Sequence, residues 1–186
     1  MTRVRLTRHG CVKAEAAVRL AVPADVVWQH MSRFQRFIAA DPYHTRITDE
    51  SGRRLDRLPP RGTRLRIGHG VGWTWFERVG TMLYVKDGKG FAFSDLSQRG
   101  RAVGFPHVYR YLLEPCGEHA CVLRLRVRGR WSARWLPRGV VVCWLYWVMF
   151  QAGWLMRARL MSAMYAEQRD RRLAKKRPAI PQGDPR

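Results

Sequence analysis

From Tyr43 to Trp135 the chain reads as strand and turn throughout, and from Pro137 to about Lys175 as one unbroken helix. That division leaves few folds open, because a sheet and a helix each have to bury an apolar face and here each is the other's main partner. The last strand is the clearest. Cys121, Leu123, Leu125 and Val127 share one parity while Arg124, Arg126, Arg128 and Arg130 share the other, so one face meets a core and the other meets solvent. Before it, Leu65 and Ile67 alternate with Arg64 and Arg66. Trp73 to Val85 is aromatic and β-branched and closes in the hairpin signal Lys86-Asp87-Gly88. Phe91 and Phe93 follow, and Val108 to Glu114 forms a further strand that turns at Pro115-Cys116-Gly117-Glu118. In the helix, Val142, Tyr146, Met149, Gly153, Met156, Leu160 and Met164 fall on one stripe, which is expected to lie on the sheet with Gly153 permitting close approach.

Upstream, Val12, Ala14, Ala16, Val18 and Leu20 alternate with charged residues as a first strand, ended by Val22-Pro23. Pro23-Ala24-Asp25 opens a short helix, with proline in its first turn and an acid facing the helix dipole. Phe34, Phe37 and Ile38 continue on a second short helix that Asp41-Pro42 ends. Residues 1–9 read as a loose basic lead, 10–176 as one α+β domain, and 177–186, with Pro178, Pro181 and Pro185, as a disordered tail.

Composition narrows the partners. The 186 residues suffice for one domain with a sizeable core, and 46% are apolar. The net charge is +21, carried by 30 arginines and only 5 lysines, a skew that reflects codon bias as well as chemistry. Such charge attracts phosphates of nucleic acid or anionic lipid. No zinc-finger spacing, aromatic RNA-binding motif or basic heptad region is present, which argues against nucleic acid. Cys11, Cys116, Cys121 and Cys143 form no CxxC pair and are expected as free thiols in a reducing compartment, although Cys116 and Cys121 flank a turn. Met1 to Gly10 has no apolar signal-peptide core, so a cytoplasmic protein is expected. Val140 to Met156 is apolar over 17 residues but contains Gln151, against the ~20 that span a bilayer. Spanning would also strip the sheet of its cover.

The order strand, two short helices, strands, long helix resembles the START and polyketide cyclase/dehydrase (SRPBCC) superfamily, the helix-grip folds. The resemblance covers about Cys11 to Glu167. It rests on Val22-Pro23-Ala24-Asp25-Val26-Val27-Trp28, which is similar to the family's "AP-x-x-VW" opening, and on Tyr111-x-Leu113-x-Pro115, similar to its "Y-x-L-x-P" turn. Pro137-Arg138-Gly139 followed by Leu145-Tyr146-Trp147 resembles an uncharacterised cyclase-like branch. The resemblance implies a curved antiparallel sheet wrapped around the C-terminal helix, with the strand Cys11 to Ala21 antiparallel beside Ala120 to Trp131. It does not carry function, since the superfamily includes lipid carriers, aromatases and hormone receptors.

In that fold a pocket lies between the concave sheet and the closing helix. Expected to line it are Trp28, Trp73, Trp75, Phe91, Phe93, Phe105, Tyr109 and Tyr111, with Tyr146 and Met149 from the helix. The plainer reading is that the same aromatics fill the core. His107 shares the parity of Phe105, Tyr109 and Tyr111, and Asp95 that of Phe91 and Phe93. If the strands bring them together, Asp95 orients His107 as a general acid or base while Tyr109 or Tyr111 polarises a carbonyl. Otherwise His107 is a core histidine satisfied by one backbone carbonyl, and Asp95 sits near a strand end in water. No HxxxH, HExxH or His/Cys grouping marks a metal, and His69, between Gly68 and Gly70, reads as a loop residue. No glycine-rich loop joins a strand to a helix, so neither a nucleotide nor another cofactor is expected.

These features favour binding or carriage of a hydrophobic small molecule, such as a lipid, polyketide or quinone-like compound. A polyketide cyclase or dehydratase is the alternative from a different class. A third reading is a peripheral membrane or interaction protein without a ligand. Trp144, Trp147, Val148 and Leu155 remain on the helix side the sheet cannot cover and call for the short-helix layer, a second copy in a homodimer, or an anionic membrane at the inner face.

Overall fold

The computed structural model describes residues 1–38, 44–71, 74–96, 105–131 and 137–176. Eight strands form one antiparallel sheet: β1 (Thr2–Leu6), β2 (Cys11–Leu20), β3 (His44–Asp49), β4 (Arg64–Val71), β5 (Thr74–Lys86), β6 (Gly90–Asp95), β7 (His107–Pro115) and β8 (Cys121–Arg130). Their spatial order is β1-β2-β8-β7-β6-β5-β4-β3. Helices α1 (Ala24–Ser32) and α2 (Phe34–Ile38) lie between β2 and β3, and α3 (Arg138–Lys176, 39 residues) closes the chain. This is the expected helix-grip architecture. β2 lies antiparallel to β8 along its whole length, from Cys11 opposite Arg130 to Leu20 opposite Cys121.

The lead is not loose. Thr2–Leu6 pair with Val12–Ala16 as the edge strand β1, and the Met1 ammonium donates to the Ala17 carbonyl at 2.8 Å. The alternation of Thr2-Arg3-Val4-Arg5-Leu6 was a strand signal that its basic content obscured. The tail from Arg177 lies outside the described residues.

Alternation sets the inner face. Val12, Ala14 and Ala16 of β2 and Cys121, Leu123, Leu125 and Val127 of β8 are buried. On the opposite face, Glu15 receives hydrogen bonds from Arg126 at 2.7 Å and Arg124 at 3.0 Å, and Arg124 also reaches Glu114 at 2.8 Å. Burial acts to raise the Glu15 pKa, but these two arginines outweigh it and hold the carboxyl below its ordinary value. The outer arginine stripe is therefore partly matched by acids, and Arg128 and Arg130 remain exposed.

The core has two halves. α2 inserts Phe34 and Phe37 edge-on against Phe91 and Tyr111, with ring centroids 5.0–5.8 Å apart. α3 covers β1 and β2 with Val141, Leu145, Met149, Ala152, Met156 and Leu160, all buried. Met149, Gly153, Met156 and Leu160 lie where the stripe expected them, but the first turns are rotated by one residue. Val141 and Leu145 point inward, whereas Tyr146 is 48% exposed. The N-terminal half of α3 is apolar on all sides, so periodicity alone could not fix its phase. At Gly153 an added Cβ would stand 3.4 Å from the Ala16 Cβ, which is ordinary contact, so the helix approaches closely without requiring glycine there.

Candidate functional site

Two cross-strand pairs converge in the sheet. His44 of β3 is the register partner of His69 on β4, and Asp95 of β6 is the register partner of His107 on β7. β5 runs between these pairs and contributes Arg78. Asp95 Oδ2 lies 2.8 Å from His69 Nε2, 3.5 Å from His107 Nε2 and 4.0 Å from His44 Nε2. Arg78 Nε holds the other carboxylate oxygen at 3.2 Å, and its Nη1 donates to the Phe105 carbonyl at 3.1 Å. All five side chains are buried, and Asp95 has no accessible surface. Gly129 makes the arrangement fit: a Cβ there would meet the Pro106 carbonyl at 2.5 Å and both Phe105 and His107 at 2.7 Å.

The electrostatics follow from burial and charge. Burial would raise the Asp95 pKa, but the His69 hydrogen bond and the Arg78 guanidinium hold it below the ordinary value. Burial pulls His107 down to about 4, against Asp95 and the Phe105 carbonyl acting the other way. His107 is thus neutral in the fold. Its Nδ1 rests against the Phe105 carbonyl, which accepts the ring proton and leaves Nε2 facing Asp95.

The sequence candidates divide into six groups. Asp95 and His107 do meet, and His107 also takes its backbone carbonyl, so elements of both expected arrangements are present together. Asp95 is not in water. Tyr109 is half-buried, with ring centroids 4.6 Å from His107 and 4.8 Å from His44, and the Phe105 ring stacks on His107 at 4.6 Å. Phe91, Phe93 and Tyr111 have no accessible surface and pack within the core cluster of the described residues. Met149 is buried against the sheet, and Tyr146 faces outward. Trp28 ties α1 to the β5–β6 hairpin, its indole N–H donating to Asp87 at 2.6 Å. Trp73 lies outside the described residues, and Trp75 is on β5 with its side chain outside them.

The sequence reading missed His44, His69 and Arg78. His69 continues the parity of Leu65 and Ile67, a signal hidden by its flanking glycines, and it is a buried strand residue, not a loop residue. Arg78 shares the inward parity of Met82. His44 precedes an irregularity in the β3–β4 register, which breaks the alternation that would have revealed it. The five residues are far apart in sequence, so no spacing motif unites them.

A cleft of about 550 Å³ does lie between sheet and closing helix, on the β2 flank of α3. Ala16 and Val18 line it from β2, with Phe150, Gly153 and Trp154 along α3. Arg19 and Arg157 bring positive charge to it. None of the expected ligand-binding residues whose side chains are described lines it. Ala16, Ala17 and Val18 on its β2 side are small and carry no aromatic signal in the sequence.

The outer side of α3 is apolar as well. Val140, Trp144, Trp147, Phe150 and Trp154 are 44–63% exposed and recur at helical spacing on one face, opposite the buried stripe. The segment Arg138–Ser162 is long and apolar enough to cross a membrane by length and composition, yet its inner face is buried within the domain.

No protein-family model matches the chain. No curated protein matches it either. Solved structures do. A START superfamily protein from Mycobacterium smegmatis is 14% identical over 81% of this chain and 98% of its own, with TM-score 0.58. Human STARD10 is 14% identical over 95% of this chain and 79% of its own, with TM-score 0.60. The di-domain ARO/CYC StfQ from the steffimycin biosynthetic pathway is 15% identical over 88% of this chain and 53% of its own, with TM-score 0.62. The chain shares the helix-grip fold of these structures.

Proposed function

We propose that this protein binds a hydrophobic small molecule with an anionic end in the cleft between β2 and α3. The supporting observation is the cleft itself: about 550 Å³, apolar along Ala16, Val18, Phe150 and Trp154, with Arg19 and Arg157 among its lining residues. That size lies within the range of small-molecule sites, and apolar walls with a few charged groups fix a ligand's orientation. The START-type fold of its structural neighbours is consistent with such a role. A cyclase or dehydratase acting at His107 and Asp95 is the weaker reading, because Asp95 and Phe93 offer no accessible surface among the described residues.

Titration of the full-length protein with a fluorescent long-chain fatty acid tests the proposal. Binding is expected to saturate at one equivalent. Gly153→Phe, which places a ring in the cleft, should weaken it at least about tenfold, a loss of ~1.4 kcal/mol. Gly153→Ala, whose Cβ meets only ordinary contact distances, should bind like the parent. Absence of saturable binding, or a Gly153→Phe variant that folds and binds normally, would reject the cleft as the site.

A second reading rests on a separate observation, the exposed apolar face of α3. With Arg138 and Arg157 near its ends and a net charge of +21, that face suits reversible attachment to an anionic membrane surface. Phe150 and Trp154 belong both to this face and to the cleft lining, so a membrane-bound protein would hold the cleft at the lipid boundary.

A further inference from the structure

We infer that His44, His69 and Asp95 form a binding site for one first-row transition cation of the Zn²⁺ type. One donor atom from each of His44, His69 and Asp95 lies within 4.8 Å of the others, and all three residues are buried. In a tetrahedral site with metal–ligand distances near 2.0–2.1 Å, neighbouring donors stand about 3.3 Å apart. Asp95 Oδ2 stands 2.8 Å from His69 Nε2 and 4.0 Å from His44 Nε2, on either side of that value.

The surrounding geometry points the same way. His107, its Nδ1 against the Phe105 carbonyl, turns Nε2 toward Asp95 Oδ2 at 3.5 Å and adds a further imidazole beside the carboxylate. Arg78 occupies Oδ1 and turns Oδ2 toward the imidazoles, leaving a single carboxylate oxygen for the ion. The donor set of imidazoles and one carboxylate selects a borderline cation over Mg²⁺ or Ca²⁺, which take oxygen ligands. The Arg78 charge opposes the ion, so affinity should be lower than at a site whose carboxylate is unshared.

The test uses chelator-stripped full-length protein titrated with Co²⁺ and then Zn²⁺. One equivalent of cobalt is expected to give the visible d–d bands of a low-coordinate site, which Zn²⁺ abolishes, and Zn²⁺ should raise the melting temperature. His69→Gln and His44→Gln should each weaken cobalt binding about 100-fold or more, since even outer partners cost 10–100-fold. His119→Ala, at an exposed histidine elsewhere, should leave it unchanged. Each variant's fold is checked by its circular dichroism. If both histidine variants unfold, the stoichiometry and spectrum of the parent protein still decide. Several equivalents, a thiolate-to-cobalt charge-transfer band from the free cysteines, no d–d bands, or a folded His69→Gln variant that binds like the parent would each overturn the site.

Discussion

Asp95 is the anion around which Arg78, His69, His107 and His44 are organised, and it has no water to fall back on. Removing it leaves the buried Arg78 guanidinium without a counter-charge, so Asp95→Ala should destabilise by about 3–5 kcal/mol in thermal or urea melts. A change below about 1 kcal/mol would mean that Arg78 finds another partner. The neighbouring His107 supplies a pH dependence in metal-free protein. With its folded value lowered to about 4, the stability tied to the neutral ring is complete above the unfolded value of ~6.5 and is lost as pH falls through about 4. The melting temperature of chelated protein should therefore drop as pH is lowered from 7 toward 4, and His107→Gln should flatten that slope. Of this site, the sequence disclosed only Asp95 and His107, because strand parity gives the face of a residue and not its neighbour across the sheet. Register brings in His44 and His69, and register is a property of the paired strands.

α3 carries two apolar faces back to back, and they make opposite demands. On the inner face Met149 is 3% exposed, so Met149→Asp buries an unpaired charge and should cost several kcal/mol. Tyr146 lies on the outer side, and Tyr146→Asp should change stability by no more than about 0.5 kcal/mol. Equal costs at the two positions in a denaturant series would contradict the helix phase. The outer face predicts instead an effect on attachment: replacing Trp147 and Trp154 together by serine should weaken co-sedimentation with anionic vesicles while leaving the melt unchanged. The elements themselves were legible, from the alternation of β2 and β8 to the hairpin at Lys86-Asp87-Gly88 and the long closing helix. Two features were not. The basic residues of β1 concealed a strand, and the first turns of α3, apolar in every direction, offered no period from which to choose a face.

At the scale of the whole molecule, the charge of +21 should make membrane attachment salt-sensitive. Each basic residue close to an anionic surface contributes about 1 kcal/mol, and a Debye length that shrinks from ~10 Å at 0.1 M to ~3 Å at 1 M removes most of it. Co-sedimentation with anionic vesicles should be strong at low salt and largely lost at high salt, with little binding to neutral vesicles at either. Equal binding to both lipid types would reject the electrostatic contribution, and self-association in equilibrium sedimentation would assign the exposed tryptophans to a second copy. The sheet order carries a further consequence, for the time course of folding. Beyond β1, β2 finds its second neighbour only in β8, with Leu20 opposite Cys121 at the nearest point and Cys11 opposite Arg130 at the farthest. A chain emerging from the ribosome therefore holds its first hairpin with one edge unpaired until nearly everything before α3 has been made, and closing that gap costs loop entropy before any contact compensates it. Folding should be slow and late, and a nascent chain stalled before Cys121 should present the β2 edge to chaperones or to other unfinished chains.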